Sequence, residues 1–530
     1  MLKALSQLAR NFRCDTRGAI AILWGLSVIL VTVAAGTAID YVRAARQRQA
    51  LDAAVDAAAL AVAVSGKTDQ AELEQLARDY VNANYNSQKY TGINLNLDVK
   101  VTEDTVEITA HQQMPTTLMG IVNINEMDLT SFAQVSRGGT GLEVALVLDN
   151  TGSMNSNNKI QDLKVAVGNL TEVLFGEDEE STHIKVGIIP FSTSVNVGPQ
   201  YTDVTWLDHT GLNPISHLNF TDATKHNRWA WNQLSNKPWN GCVEQRRVAN
   251  GIDYDVDDTA PSVGQPTTLF PIFFAPDEPT NGNNATGKTG WGNGFGNSYL
   301  PDWRSNESVS NSTKNNTSLD DRQRRHQKYQ GVSVSGAGPG FNCGIAPITP
   351  LTNVKQTVLD GVDDMIANGN TNIAGGIGWG LRVLSPTAPF TEGVAYDDDD
   401  WRKVMIVMTD GENVWGDTNN MNRSAYGGYG YISQSSTRLN MNSSSITSGR
   451  AVYDTRTAKA CDVVKAATGD PKHPITVYTI TFGPIDNAAK TLMKNCATDP
   501  EKYFHAPDGA TIKTVFSDIA KEISEVYLSK

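Results

Sequence analysis

The stretch LEVALVLDNTGSM, from Leu142 to Met154, decides the fold of the larger part of this chain. Residues 144–148 form an unbroken apolar run, which is typical of a strand buried on both faces of a parallel sheet. Similar runs follow at residues 185–189, 403–408 and 475–480. Segments with helical spacing of apolar residues alternate with them, at 160–174, 354–366 and 512–526. We therefore predict an α/β fold, doubly wound around a mostly parallel sheet.

Five oxygen-bearing side chains stand at the ends of these predicted strands or in a turn between them. Asp149, Thr151 and Ser153 follow the first strand at two-residue steps. Asp410 ends the third strand, and Thr371 lies in a turn before a predicted helix. Ligands in open α/β sheets bind at the carboxyl ends of the strands, so we expect these side chains to meet at one edge. Such hard oxygen donors favour Mg²⁺, Mn²⁺ or Ca²⁺.

This set of ligands contains few negative charges, because three of its five members are neutral hydroxyls. A bound divalent cation would remain under-neutralised and would attract an acidic side chain from a partner protein. The alternative is that these residues only cap turns, as Asp, Ser and Thr commonly do. The agreement of three separate segments of the chain favours the metal site.

An uncharged apolar segment covers residues 18–39. As a helix it would extend roughly 33 Å, enough to cross a hydrocarbon core of ~30 Å. We predict a single transmembrane helix here, preceded by a basic cytoplasmic tail at 1–17 and followed by an Ala-rich helical extension at 40–66. The alternative is a cleaved signal peptide, but this apolar run is longer than the apolar region of such a peptide, which has about 7–15 residues.

The rest of the chain divides by composition and periodicity. Residues 67–138 combine a polar helical segment with alternating strands and predict a small α+β stalk module. The doubly wound domain is predicted at 139–199 and 345–530, interrupted at 200–344 by an irregular insertion rich in Trp, Asn, Gly and Pro. A second insertion is predicted at 419–448. We expect four tryptophans to pack the first insertion onto its domain: Trp229, Trp231, Trp239 and Trp291.

Charge and motif content exclude several classes of function. Acidic residues outnumber Lys and Arg by 57 to 44, which disfavours nucleic acid as a partner. The sequence contains no C-x-x-C pair, no H-x-x-x-H pair and no recognisable catalytic triad. We therefore predict that the protein is not an enzyme. The acidic runs at 253–258 and 397–400 lack the ordered spacing of a calcium loop and are interpreted as solvated turns.

The predicted metal site resembles the metal-ion-dependent adhesion site of von Willebrand factor A domains, whose first motif is D-x-S-x-S. Here Asp149, Thr151 and Ser153 occupy that motif, and Thr replaces the middle Ser. Thr371 and Asp410 match the Thr and the later Asp of the family. The whole chain resembles the TadG-like proteins of the Tad (Flp) pilus assembly system, through its membrane segment, its stalk module and this domain.

This resemblance carries further expectations. It implies disulfides between Cys242 and Cys343 and between Cys461 and Cys496, although four cysteines allow three connectivities. An even number of cysteines after the membrane segment suits an oxidising compartment. Leu23 stands where pilin-like members of the machinery carry a processing Glu, which favours a retained anchor. We expect a single-pass protein of the bacterial inner membrane, with its bulk periplasmic or extracellular.

The function that follows is a membrane-anchored component of Tad/Flp pilus biogenesis or secretion. Its A domain would bind other proteins of the machinery through Mg²⁺, or through Ca²⁺ or Mn²⁺. The alternative is a surface adhesin or matrix receptor with metal-dependent ligand binding.

Overall fold

A computed structural model describes residues 17–63, 65, 70–85, 95–101, 105–136, 141–208, 210–221, 227–246, 248–249, 252–279, 297–334, 338–416, 422, 424–432, 438–439 and 446–524. The predicted basic tail, apart from Arg17, and Trp291 lie outside these residues. The chain forms two units, Met1–Gly139 and Thr140–Lys530.

The first unit contains two helices and a small sheet. The helices are α1 (Arg17–Ala63) and α2 (Gln70–Asn84). The strands are β1 (Leu95–Val101), β2 (Thr105–Pro115) and β3 (Glu126–Ser136), paired antiparallel in that order. The predicted alternating strands are therefore confirmed. By length and composition, α1 is the one helix in the described part of the chain that is able to cross a membrane.

The second half of α1 packs on this sheet. Its Ala-rich sequence presents small and apolar side chains at helical spacing, and Leu51, Val55 and Ala58 are fully buried. They join Val106 and Ile108 of β2 in one hydrophobic cluster. The helical extension and the stalk module, which are predicted from the sequence as separate segments, thus share a core.

The second unit is built on an eight-stranded sheet. Its elements, in chain order, are β4 (Gly141–Asp149), α3 (Lys159–Phe175), β5 (Ile184–Phe191), β6 (Val195–Asn196), α4 (Asn227–Asn232), β7 (Cys242–Val243), β8 (Val248–Ala249), β9 (Ile252–Asp253), α5 (Asn311–Asn316), α6 (Leu319–Gln323), β10 (Thr349–Thr352), α7 (Lys355–Asp363), α8 (Ile373–Leu384), β11 (Trp401–Thr409), β12 (Tyr426–Gly427), β13 (Gly430–Tyr431), α9 (Ile446–Ala466), β14 (Ile475–Phe482), α10 (Asn487–Cys496), β15 (Tyr503–Ala506) and α11 (Gly509–Ile523).

The sheet runs in the order β15-β14-β11-β4-β5-β6-β7, with β10 paired to β5. The pairs among β15, β14, β11, β4 and β5 are parallel, whereas β6, β7 and β10 pair antiparallel. The predicted doubly wound, mostly parallel sheet is confirmed, and so are its four apolar strands.

Hydrophobic cores cover both faces of this sheet. Along β4, Val144, Leu146 and Leu148 face one core, which contains side chains of α3, α7 and α11. Ala145 and Val147 face the other core, which contains α8, α9 and much of the first insertion. Burial on both faces explains why this strand is apolar at every position from 144 to 148.

The first insertion contributes to the fold rather than only covering its surface. Its strand β7 extends the sheet through Val243, which pairs with Val195. Trp231 and Trp239 are buried in the core, as predicted, and Trp229 packs against it. Disulfides join Cys242 to Cys343 and Cys461 to Cys496, the two pairings that the family resemblance implies.

The interpretation of residues 253–258 as a solvated acidic turn is wrong. Asp255 is fully buried, and Arg456 of α9 contacts both of its carboxylate oxygens, at 2.6 and 3.0 Å. Arg456 also donates to Asp253, at 3.0 Å. The acidic run therefore ties the insertion to α9 through ion pairs. The run at 397–400 is largely exposed, as predicted.

Candidate metal centre

The predicted metal site begins where β4 ends, at the fully buried Asp149. One carboxylate oxygen accepts the backbone N–H of Thr151 at 2.9 Å. The other accepts the hydroxyl of Thr409 at 2.7 Å. A tight turn at Gly152–Asn158 follows and leads into α3. The side chain of Asp149 is thereby fixed between the ends of two adjacent parallel strands, β4 and β11.

Two hydroxyls connect this loop to the second carboxylate. The hydroxyls of Thr151 and Ser153 are 2.9 Å apart, and Ser153 donates to the Oδ1 atom of Asp410 at 2.6 Å. The backbone N–H of Asp410 lies 3.3 Å from Asp149. Four of the five predicted ligands, which are separated by as many as 261 positions in the chain, therefore form one hydrogen-bonded group.

Thr371 reaches the same edge through its backbone. It exchanges two backbone hydrogen bonds with Val414, each of 3.0 Å, in the loop that follows Asp410. The turn before it contacts the first loop, where the N–H of Gly152 donates to Gly369 at 3.0 Å. Gly369 has φ of 84°, a left-handed conformation that favours glycine. The structure thus places the segments of all five predicted residues at one edge of the sheet, which we call the metal rim: residues 149–153, 369–371 and 409–411.

The electrostatics of the metal rim favour an added positive charge. Burial, together with the charge of Asp410, raises the pKa of Asp149 to about 7 against the hydrogen bonds from Thr151 and Thr409. One cation compensates this pair, since the ammonium of Lys159 lies 2.8 Å from Asp410. When both carboxylates are ionised, the single ammonium leaves a net negative charge on the pair. Hydroxyl and carboxylate oxygens at hydrogen-bonding distances fit a hard divalent cation.

Within the described residues, no group of three or more His, Cys, Asp or Glu side chains gathers closely enough to hold a metal ion. A site rich in imidazole, thiolate or clustered carboxylates is therefore not found there. The candidate centre depends instead on a pair of carboxylates supplemented by neutral hydroxyls, which is the ligand set that the sequence predicts.

Two residues that contact the carboxylates of the metal rim were not predicted. Lys159, at the start of α3, is largely buried and binds Asp410, but a lysine ten positions after Asp149 gives no signal in the sequence. Thr409 holds Asp149 by its hydroxyl. Its position directly before Asp410, at the end of a strand, was a signal that should have included it among the candidates.

Parts of both insertions lie beside the metal rim. The backbone of Gly428, in the second insertion, pairs with Thr193 at 2.9 Å and with Gln245 of the first insertion at 2.7 Å. The side-chain amide of Gln245 is buried without a hydrogen-bond partner among the described residues, and so is the Nδ2 atom of Asn372, next to Thr371. Buried polar groups of both insertions thus lie beside the metal rim.

The family model that matches this chain covers a segment near its N-terminus. Residues 18–65 match the model of the family described as putative Flp pilus-assembly TadE/G-like. The chain therefore carries a TadE/G-like pilus-assembly segment. This segment covers α1 from Gly18 onward, and the metal rim lies outside the matched range. No curated protein matches the chain.

Several solved structures of pilus proteins are similar to the chain. The pilus adhesin SpaC of Lactobacillus rhamnosus GG has 12% identity and a TM-score of 0.30, over 82% of this chain and 35% of SpaC. The vWF domain of the tip protein Mfa5 of Porphyromonas gingivalis has 8% identity and a TM-score of 0.33, over 73% and 97%. The tip pilin GBS104 of Group B Streptococcus agalactiae has 11% identity and a TM-score of 0.32, over 72% and 100%. The chain thus spans about a third of SpaC, and scores this low carry no conclusion about function.

Proposed function

We propose that this protein is a membrane-anchored component of Tad/Flp pilus biogenesis or secretion that binds a partner protein through a divalent cation at the metal rim. The proposal joins two observations from different parts of the chain. The TadE/G-like match supports the pilus system and the anchor. The hydrogen-bonded group of Asp149, Thr151, Ser153 and Asp410 supports the cation.

Asp149, Thr151, Ser153, Thr371 and Asp410 would hold the cation, which we expect to be Mg²⁺, with Ca²⁺ or Mn²⁺ as alternatives. The bound ion supplies a positive charge to which an acidic side chain of another protein of the machinery is attracted. Lys159 and the hydroxyl of Thr409 keep the two carboxylates in place. Because hydroxyls contribute no charge, this ion retains more attraction for an outside carboxylate than one held by three or four acidic ligands. No step of chemical catalysis is needed.

Direct measurement of metal binding tests the site. The full chain in detergent, stripped with EDTA, is titrated with Mn²⁺ and followed by electron paramagnetic resonance and calorimetry, with Mg²⁺ as competitor. We expect one site, lost in Ser153→Ala. Asp360→Asn, which removes an exposed carboxylate on α7, serves as the matched control. Equal binding by the Ser153→Ala variant and the wild type would contradict the metal site.

A cellular experiment tests the role in the pilus. In a deletion strain, the wild-type gene and the Asp360→Asn control should restore piliation, whereas Asp149→Asn should not, at equal amounts of membrane-bound protein. Normal pili in the deletion strain would refute the pilus function. Full rescue by a variant that binds no metal would show that the ion has no part in assembly.

The adhesin alternative has one observation in its favour, which is the position of the insertions beside the metal rim through Gly428. A ligand at the rim would also touch these insertions. The alternative predicts surface exposure and Mg²⁺-dependent adhesion. Protease treatment of intact cells distinguishes the two functions, because an adhesin would be trimmed and a component of the inner membrane, facing the periplasm, would be protected.

A further inference from the structure

The turn at residues 116–125, between β2 and β3, carries apolar side chains that the small sheet does not cover. Ile121 is 62% exposed, Val122 44% and Ile124 43%. In the described part of the first unit that follows α1, the other exposed large apolar side chains are Tyr80 and Phe132. Three of the five are therefore concentrated in one turn, which we call the apolar turn.

Hydrogen bonds fix the apolar turn against α1. The carboxylate of Asp40, which is fully buried, accepts three successive backbone N–H groups at 2.8 to 3.1 Å. The donors are Thr117, Leu118 and Met119. Arg43 also donates to the hydroxyl of Thr117. Charge-assisted bonds of this kind are among the stronger ones in proteins, so the height of the turn along the helix is set at Asp40.

This height coincides with the end of the predicted membrane span. The turn packs directly on Gly36, where an added Cβ would lie 2.6 Å from the Cβ of Leu118. Gly36 is three residues before the end of the uncharged segment 18–39, which corresponds to about 4.5 Å of helix. The apolar turn therefore overlaps the last helical turn of the segment that crosses the membrane.

Side chains of α1 at the same height are those expected where lipid meets water. Tyr41 is 66% exposed, and tyrosine is enriched at membrane interfaces. Arg43 has half of its side chain exposed, and Arg46 is exposed one turn further along. Basic side chains next to a membrane span are attracted to the anionic headgroups of lipids. These aromatic and basic residues thus indicate that the interface between membrane and water lies beside the apolar turn. This indication does not depend on the composition of the turn.

We propose that the apolar turn inserts into the boundary between headgroups and acyl chains of the bilayer, as a second contact with the membrane next to α1. Ile121, Val122 and Ile124 would then be buried in lipid rather than exposed to water. With α1 alone, the small sheet would be attached to the membrane only through this helix. With the turn inserted, its orientation to the membrane plane is fixed by two contacts. The inference rests on α1 spanning the membrane and is independent of the metal rim.

Depth-dependent quenching tests this proposal on the full chain in liposomes. A single cysteine is introduced as Ile121→Cys in a Cys14→Ser background and labelled with the fluorophore NBD, while the four disulfide cysteines stay oxidised. Phe132→Cys is the matched control: it is also exposed and apolar, lies on β3, and is about 20 Å from the turn by strand geometry. Lipids with a nitroxide at carbon 5 of the acyl chain are the quencher.

We expect NBD at position 121 to be quenched several-fold more strongly than at position 132, with emission shifted to the blue. Equal weak quenching at both positions would overturn the proposal. Protection of position 121 from aqueous iodide without quenching by the lipid nitroxide would also overturn it, because it would show that protein covers the turn. Ile124→Cys is labelled in parallel, so that a local disturbance at one position does not decide the result.

Discussion

The two ends of strand β4 carry buried carboxylates in opposite situations. At its beginning, Glu143 is fully buried between two ammonium groups: Lys403 contacts it directly and Lys185 lies 3.2 Å away. At its end, Asp149 faces a second carboxylate, Asp410, and the pair has only Lys159 as counterion. The two acids are six positions apart along one strand, and both are fully buried.

The difference separates a structural ion pair from a binding site. Glu143 has all the charge compensation it needs, and Lys403 is further held by the carbonyls of Leu384 and Val394, each at 2.8 Å. The opposite end has one positive charge fewer, and burial, together with the charge of Asp410, raises the pKa of Asp149. Burial of a carboxylate is common to both ends. Of the two ends of β4, only the metal rim combines an uncompensated negative charge with hydroxyls that donate to the carboxylates.

The largest effect is expected from Glu143→Ala. This substitution leaves two ammonium groups, one of them buried, without their carboxylate, and removal of one partner of a buried pair costs about 3–5 kcal/mol. We expect the free energy of unfolding by urea to fall by that amount. Burial already lowers the pKa of Lys403 despite the attraction of Glu143, which indicates how costly its isolated charge would be.

The matched measurement is metal binding. Glu143→Gln, a milder variant, should bind Mn²⁺ as the wild type does when the result is expressed per folded molecule. A loss of Mn²⁺ affinity in this variant, with the fold intact, would show that the two ends of β4 are coupled. Glu143 would then not be a purely structural ion pair.

The next largest effect is expected from Asp149→Asn, which should weaken metal binding without destabilising the metal-free protein. Loss of a ligand should weaken metal binding on the order of a hundredfold or more, since even outer residues of metal sites contribute up to that amount. Without metal, at pH 8, the variant should be as stable as the wild type or more stable, because it removes one of two like charges. Thermal unfolding with EDTA and with Mg²⁺ measures both. A variant less stable than the wild type in EDTA would mean that Asp149 is chiefly structural.

How far the sequence predicts this molecule depends on whether the signal is local. The apolar run at 144–148 is typical of a strand covered on both faces, and the structure places it at the centre of the sheet. Hydroxyls and carboxylates at strand ends are informative because parallel strands end at one edge. Both predictions follow from periodicity and topology, which nearby residues are enough to reveal.

The remainder depends on partners that are distant in the sequence. Nothing near residue 255 shows that its carboxylate pairs with Arg456, two hundred positions later, so an acidic run is interpreted as solvated. Glu244 and Arg438 likewise meet across the two insertions, with 2.9 Å between them. Lys159 could not be predicted for the same reason, because its partner Asp410 is distant in the sequence. Charge pairing in the interior has no period, and therefore leaves no pattern in one sequence.

A third buried carboxylate, that of Glu278, lies outside the metal rim, and its pKa is also raised, to about 7, mainly by burial. Asn422 donates to it at 3.3 Å and partly opposes the rise. The folded state keeps its proton up to about pH 7, whereas the unfolded state loses it near 4.5. Stability should therefore fall as the pH rises between these values.

Glu278→Gln should then stabilise the protein by roughly 3 kcal/mol at pH 8 and by little at pH 4.5. Urea unfolding of the full chain at the two pH values measures the difference. Mn²⁺ binding should not change, which would show that a raised pKa alone does not mark a metal site. An equal effect at both pH values would trace the stabilisation to packing instead of to the proton.

The smallest effect is expected from Lys159→Met, and it tests the charge count at the metal rim directly. The ammonium of Lys159, 2.8 Å from Asp410, repels an incoming cation. In the protein without metal, it compensates negative charge of the two carboxylates. Its removal should therefore strengthen Mn²⁺ binding about tenfold, a change of about 1.4 kcal/mol, and lower the stability of the metal-free protein. Weaker binding in Lys159→Met would mean instead that the lysine orients Asp410 and that geometry outweighs charge. Lys164→Met, which removes an exposed ammonium one turn along α3, is the control for a general effect of charge. Only a variant that binds metal more tightly and is less stable without it supports the interpretation that Lys159 and the cation compensate the same negative charge.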